Sequence, residues 1–264
     1  MARPRTRFKY PENADRFYRI AGGRADEKVL AQNRLALAFD DGSDDDVTRI
    51  GIIPRDPIPS LFDLDLGDAF SWMAMLDIIR EVADAHGWGP REGFRLELPV
   101  HPPYQRSPWL RIDLTRSASK RPKPGADDDG YTRDIGHFAE IVELRRRVQV
   151  LWSNDDFMVF DNLEEEDSDD YDLFLMGIPR ERVTSLMDED FTMQHWLSLA
   201  AGLRESAARL GVDAFTAYMN VRPPYQHTPW AHIHLRAGGK ALRRLEKAER
   251  RANGRDDGRS ERAT

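Results

Sequence analysis

Phe94-Arg-Leu-Glu-Leu-Pro-Val-His-Pro-Pro-Tyr-Gln-Arg-Ser-Pro-Trp-Leu-Arg-Ile-Asp-Leu114 returns later in the chain as Phe215-Thr-Ala-Tyr-Met-Asn-Val-Arg-Pro-Pro-Tyr-Gln-His-Thr-Pro-Trp-Ala-His-Ile-His-Leu235. The offset is 121 without a gap, and ten of the twenty-one positions are identical. A shared pattern of that length marks an internal repeat, so the fold must be read as a unit written twice. The same offset aligns Tyr10 with Tyr131, Phe17 with Phe138, Ile20 with Ile141 and Phe39 with Phe160, while Ile53-Pro54-Arg55 matches Ile178-Pro179-Arg180 at 125. The units therefore run over 10–116 and 131–237, joined by a linker at 117–130 rich in Ser, Lys, Pro, Gly and Asp.

Each unit has the same predicted order. A short amphipathic helix (15–21; 135–145) leads to a strand pair, then an acidic loop, then a strand ending in Pro (50–54; 173–179). A long helix follows, with Trp72, Leu76, Ile79 and Ala83 in one unit and Met193, Trp196, Ala200, Leu203 and Ala207 in the other at helical spacing. A hairpin closes the unit, its Pro-Pro-Tyr-Gln turn too long for a two-residue connection. The expected class is α+β, two tandem units each made of an antiparallel sheet with a long helix, forming a pseudo-two-fold intramolecular dimer.

The chain has 264 residues, a formal net charge of −7 and no cysteine. That excludes disulfides, thiolate metal sites and thiol catalysis. No apolar run reaches the ~18 residues of a membrane helix, so no membrane association and a cytoplasmic location are expected. Positive charge gathers in a basic N-terminal tail (1–9), the linker and a basic C-terminal segment (238–264) with a helix expected over 240–252. The body between them is strongly acidic, which argues against nucleic-acid binding except through the tails. The acidic loops 40–46 and 161–170 lack the spacing of a calcium loop and read as hydrated, so no metal is expected there.

On the last strand, alternation puts Trp230, His232, His234 and Arg236 on one face and Ala231, Ile233 and Leu235 on the core side. The first unit has Trp109, Arg111, Asp113 and Thr115 at those places, so the imidazoles occur once. Two histidines at i, i+2 can serve as acid and base, as a nucleophile with an orienting neighbour, or simply as hydrogen-bonded residues of a sheet face. Without a third ligand nearby they make an incomplete metal site. With His227, Arg222 and Arg236 they concentrate cationic and donor groups on an acidic protein, an arrangement that suits an anion.

These residues, together with Phe17-Tyr-Arg-Ile-Ala-Gly-Gly, Leu35-Ala-Leu-Ala-Phe-Asp-Asp41, Gly177-Ile-Pro-Arg and the stretch from Gln226 to His232-Ile-His234, resemble the histidine-triad (HIT-like) superfamily. Tandem units of this kind occur in its galactose-1-phosphate uridylyltransferase and dinucleoside polyphosphate phosphorylase branches. The resemblance implies a histidine that takes a nucleotidyl group from a phosphoanhydride or phosphoramidate and passes it to water or another acceptor. It places Phe138, Ile141 and Phe160 around a base, Asn162 at a ribose, and Asn220, Gln226 and His227 near phosphate. Arg182 and Pro57 stand where the family has a further His. One register makes Trp230 the first triad position and His232 the nucleophile; the other makes His232 first, His234 the nucleophile and Arg236 third. The first is preferred.

The function this implies is a nucleotide-binding hydrolase or nucleotidyltransferase acting through a histidine of the second unit, with the first unit inactive. The alternative is a catalytically degenerate nucleotide- or partner-binding protein. No cofactor is expected. The partner is a nucleotide or sugar-nucleotide, and the chain is expected to be a monomer containing its own pseudo-dimer.

Overall fold

The structure is a computed structural model and describes residues 8–65, 67–121, 125–161 and 173–238. The terminal segments 1–7 and 239–264, including the basic helix expected over 240–252, lie outside the described residues, as do Asn162 and most of the second acidic loop. In chain order the elements are α1 (Asp15–Ala21), β1 (Val29–Gln32), β2 (Ala36–Asp40), β3 (Val47–Pro54), a 3-10 turn (Leu61–Asp63), α2 (Ala69–Ala85), β4 (Phe94–Val100) and β5 (Ile112–Ser117). They continue as α3 (Gly136–Val142), β6 (Val150–Ser153), β7 (Phe157–Asp161), β8 (Leu173–Pro179), α4 (Met193–Arg209), β9 (Phe215–Val221) and β10 (Ile233–Ala237). This is an α+β architecture.

Among the described residues, ten strands form a single antiparallel sheet in the order β1-β2-β3-β5-β4-β9-β10-β8-β7-β6. The order is palindromic when β1–β5 are matched to β6–β10. At its centre β4 pairs with β9 so that Phe94 faces Val221, Val100 faces Phe215 and Glu97 faces Tyr218. Glu97 and Tyr218 are themselves equivalent at the 121-residue offset, so the point about which the pattern reverses falls on that pair.

The alternating strands send their apolar sides to one face, where α2 and α4 cover them. Ile52, Leu96, Leu98, Leu114, Ala217, Met219, Ile233 and Leu235 meet Trp72, Leu76, Ile79, Trp196, Leu199 and Leu203 in one buried core. Trp72 and Trp196 stack with ring centroids 4.5 Å apart and planes 5° from parallel. Each indole Nε1 also donates to the other's backbone carbonyl, at 3.0 and 2.8 Å. Helix α4 lies close on its sheet because Gly202 leaves no side chain; a Cβ there would come within 2.9 Å of Trp152 and Val159.

On the other face the short helices cover only the flanks. Helix α1 seals a cluster of Phe17, Ile20, Leu37, Phe39, Ile53 and Trp109; α3 seals Phe138, Ile141, Met158, Phe160, Met176, Ile178 and Trp230. Between them the middle strands present polar side chains. Helix α3 is shorter than the 135–145 expected from its pattern. The amides of Arg145 and Arg146 fold back onto the Glu140 carbonyl at 2.8 and 3.0 Å, and Leu144 sits exposed at φ 58°, which ends the helix. Among the described residues no helix is long and apolar enough to cross a membrane.

Candidate functional site

The polar face of the second half is built around β10 and the loop before it. Ala231, Ile233, Leu235 and Ala237 are committed to the helix-side core, which forces His232, His234 and Arg236 onto the opposite face. The loop is held by Gln226, only 1% exposed: its Oε1 accepts from Arg222 N, and its Nε2 donates to the carbonyls of Thr184 and Thr228. Gln105 makes the matching bonds in the first half, to Pro59 and Ser107. Trp230 donates its indole N–H to the Pro179 carbonyl, as Trp109 does to Pro54.

His232, 8% exposed, places Nδ1 2.7 Å from the Trp230 carbonyl oxygen. A carbonyl only accepts, so Nδ1 carries the proton and the neutral ring keeps its lone pair on Nε2. Burial pushes the His232 pKa down, His227 and Arg133 add to this, and the hydrogen bond to Trp230 works against it. The ring therefore stays neutral near pH 7, with its lone pair on one defined nitrogen. Phe138 lies beside it at 5.3 Å between centroids, and His234 meets it edge-on at 5.0 Å and 81°.

His234, 6% exposed, stacks on Tyr218 at 4.6 Å and on Phe174 at 5.4 Å. Its pKa lies well below the ordinary value because of burial first, then the neighbouring His232, Arg236 and Arg95. Its buried Nδ1 has no hydrogen-bond partner among the described residues. Arg236 lies 4.5 Å from the Tyr218 ring centroid and 4.8 Å from that of Phe174.

Of the residues singled out in the sequence, Phe138, His227 and Arg236 therefore gather around the two imidazoles. Ile141 and Phe160 are fully buried in the cluster under α3, behind Phe138. Asn220 lies on β9 in the position that continues the Ile233–Met219 register toward His232, and its Oδ1 accepts from Arg95 Nε at 3.1 Å. His227 accepts the backbone amides of Thr132 and Arg133 on its carbonyl, tying the loop to the chain that leads into α3. Arg182 is exposed on the loop after β8, away from any bond to the imidazoles. Sequence reasoning missed Arg95, Arg133, Phe174 and Tyr218. Alternation on β9 would have placed Tyr218 with Asn220 on the polar face, whereas nothing local in the sequence announces Arg95, which comes from the other half.

The first half fills the equivalent place with charge. Arg111, at the His232 position, bonds both Asp113, at the His234 position, and Asp41. Arg16 adds bonds to Asp41 at 2.7 Å and to Glu27 at 2.8 Å. Burial alone would pull the Arg111 pKa down, but the two carboxylates hold it above its ordinary value. Asp41 is held low despite burial by Arg111 and Arg16. There is no imidazole here, and the cation that replaces it is already neutralised.

No protein-family model and no curated protein matches the sequence. Solved structures do resemble the fold. A GalT-like protein from Arabidopsis thaliana aligns with a TM-score of 0.59 at 8% identity, over 82% of this chain and 79% of that one. An ADP-glucose phosphorylase from Arabidopsis thaliana, solved with bound ADP-glucose, aligns with a TM-score of 0.54 at 10% identity, over 78% and 72%. A uridylyltransferase aligns with a TM-score of 0.53 at 12% identity, over 78% and 75%. The chain shares the fold of these structures.

Proposed function

We propose that the chain consists of two tandem HIT-like units forming an intramolecular pseudo-dimer, and that the second unit is a nucleotidyl hydrolase or transferase with His232 as nucleophile. The palindromic strand order supports the first part. The observation that carries the second is the Nδ1–H bond from His232 to the Trp230 carbonyl, which leaves Nε2 with a lone pair on a neutral ring. That bond favours the register in which Trp230 takes the first triad position and His232 the second.

In this reading Nε2 attacks the phosphorus of a nucleoside phosphoanhydride. The P–N bond forms as the P–O bond to the departing phosphate or sugar phosphate breaks, and the bonding pair leaves on that oxygen. The ring becomes a cationic phosphoimidazolium, whose charge the Trp230 carbonyl stabilises through Nδ1–H. Water or another acceptor oxygen then attacks phosphorus, the P–N pair returns to Nε2, and the acceptor's proton goes to solvent. Arg236, His227 and Asn220 supply cationic and donor groups near the phosphoryl oxygens, with Phe138 packed beside the base. The bound ADP-glucose of one structural neighbour supports a nucleoside-diphosphate sugar as the substrate class.

The test is incubation with ADP-glucose and with a dinucleoside polyphosphate, followed by intact-mass detection of a nucleotidyl adduct. His232→Asn is expected to abolish the adduct, and His234→Asn to retain it at a reduced rate. An adduct on His234, or one that survives loss of His232, overturns the assignment. Trp230 in place of a first imidazole favours a second reading, a nucleotide binder without chemistry; nucleotide binding with neither adduct nor turnover in the wild type is its signature.

A further inference from the structure

The strand beside β9 belongs to the other half. β4 pairs with β9 so that Arg95 stands opposite Asn220, and the row continues across β9 toward His232 on β10. Adjacent strands lie ~4.8 Å apart, so the Arg95 and His232 backbones are roughly 10 Å apart. An arginine side chain spans most of such a gap. Here the guanidinium lies 4.9 Å from the Tyr218 ring centroid on β9, between the two strands, and acts electrostatically on His234.

Two features set this arginine apart. Its Nε can only donate, so the Asn220 atom 3.1 Å away is the amide oxygen, and the amide is held with Nδ2 as the end not bound by Arg95. Its carboxylate neighbour Glu97 is loosely placed at 3.8 Å, and both side chains remain more than a third exposed. Arg95 therefore keeps much of its charge unneutralised beside an imidazole pair. The mirror-related row in the pseudo-dimer is Pro99 opposite Thr216, which carries neither a cation nor an amide. The asymmetry that puts imidazoles into one half thus coincides with a cation on the facing strand of the other.

We infer that Arg95 of the N-terminal half is an anion-binding residue of the C-terminal half's site, taking the phosphate next to the one attacked and orienting the Asn220 amide toward the reacting phosphoryl group. This rests on the reading of His232 as nucleophile. It assigns the departing phosphate of a diphosphate substrate a path along the sheet from His232 over Asn220 to Arg95. Neither half then contains the complete site.

The experiment titrates inorganic pyrophosphate into the full-length chain at pH 7.5 and follows the imidazole signals of His232 and His234 by NMR. The wild type is expected to bind. Arg95→Ala weakens binding at least about tenfold, as expected for loss of a charge-assisted contact, Arg95→Lys by roughly threefold, and Glu97→Gln tightens it by about two- to threefold. Near-UV circular dichroism verifies that each variant is folded, and the tightening by Glu97→Gln cannot arise from misfolding. Absence of binding in the wild type, or unchanged binding in Arg95→Ala, overturns the assignment of Arg95. The nucleophile is judged separately. Arg95-dependent pyrophosphate binding without a His232 adduct refutes the nucleophile and keeps the anion site. An adduct formed by Arg95→Ala with wild-type KM keeps the nucleophile and refutes the role of Arg95.

Discussion

Replacing Trp72 or Trp196 by Phe isolates what joins the two halves on the helical side. Each indole stacks on the other and donates to the other's backbone carbonyl at 3.0 or 2.8 Å, with both rings 1% exposed. Trp72→Phe keeps an aromatic ring but removes the indole donor from the Trp196 carbonyl, which keeps its helical bond within α4, at a cost of about 0.5–1.5 kcal/mol. The smaller ring leaves a void of roughly 30–40 Å³, and at ~24 cal/mol per Å³ this adds about 1 kcal/mol. The total is about 1–2.5 kcal/mol, a Tm decrease of roughly 3–9 °C for a chain of this size. Because the two contacts are reciprocal, Trp196→Phe should cost the same to within ~1 kcal/mol. The double variant should show non-additivity of roughly 0.5–3 kcal/mol, as expected for residues in contact. Urea unfolding followed by circular dichroism measures all three. Single variants losing less than about 1 kcal/mol, or a double variant equal to their sum, would refute the view that this pair acts as one coupled clamp.

Three further outcomes are expected. The unfolded chain protonates its imidazoles near the ordinary value of 6.5, whereas His232 and His234 resist protonation when folded. The unfolded state therefore binds more protons below that pH, and stability falls on acidification from pH 7 to 5.5, with a limiting slope of about 1.4 kcal/mol per pH unit for each histidine. Chemical denaturation at a series of pH values measures this, and His234→Asn should flatten the curve. Arg111→Met strands Asp41 and Asp113 without their central cation and should cost about 3–5 kcal/mol in denaturant, more than the same change at exposed Arg182. Tyr225 accepts the Ser117 amide at 2.6 Å across the two halves, and Tyr104 accepts the Gly238 amide at 2.8 Å. Tyr225→Phe should therefore lower stability by about 1–2 kcal/mol, and calorimetry should still show a single transition.

Much of the element order was legible, because the alternation in Phe94–Leu114 and Phe215–Leu235 sets β4, β5, β9 and β10, and the helical spacing from Trp72 and from Trp196 sets α2 and α4. The strand pattern from Ala231 to Leu235 was sufficient to place the imidazoles on the polar face, since the apolar set had only one side to go to. The end of α3 was less legible. Its pattern runs on to Arg145, but the backbone turns at Leu144, where the amides that follow find a single carbonyl at Glu140. Site details decided by contacts distant in sequence were not readable. Whether His232 holds its proton on Nδ1 depends on where the Trp230 carbonyl points. Tyr225 finds its partners far along the chain: its hydroxyl accepts the Ser117 amide, and the Lys120 ammonium lies 3.8 Å from its ring centroid. Gln226 reads as a phosphate ligand by family pattern, while its amide is engaged by the loop it folds.

The ion network around Arg111 has a consequence for stoichiometry. A phosphate entering the N-terminal half would meet two carboxylates first, and to reach the guanidinium it would have to break bonds already made on both sides. The symmetric scaffold therefore offers asymmetric occupancy. On the proposed reading, titration with a nucleotide should saturate at one equivalent per polypeptide, the N-terminal half serving as permanent ballast that shapes its neighbour without competing for its ligand.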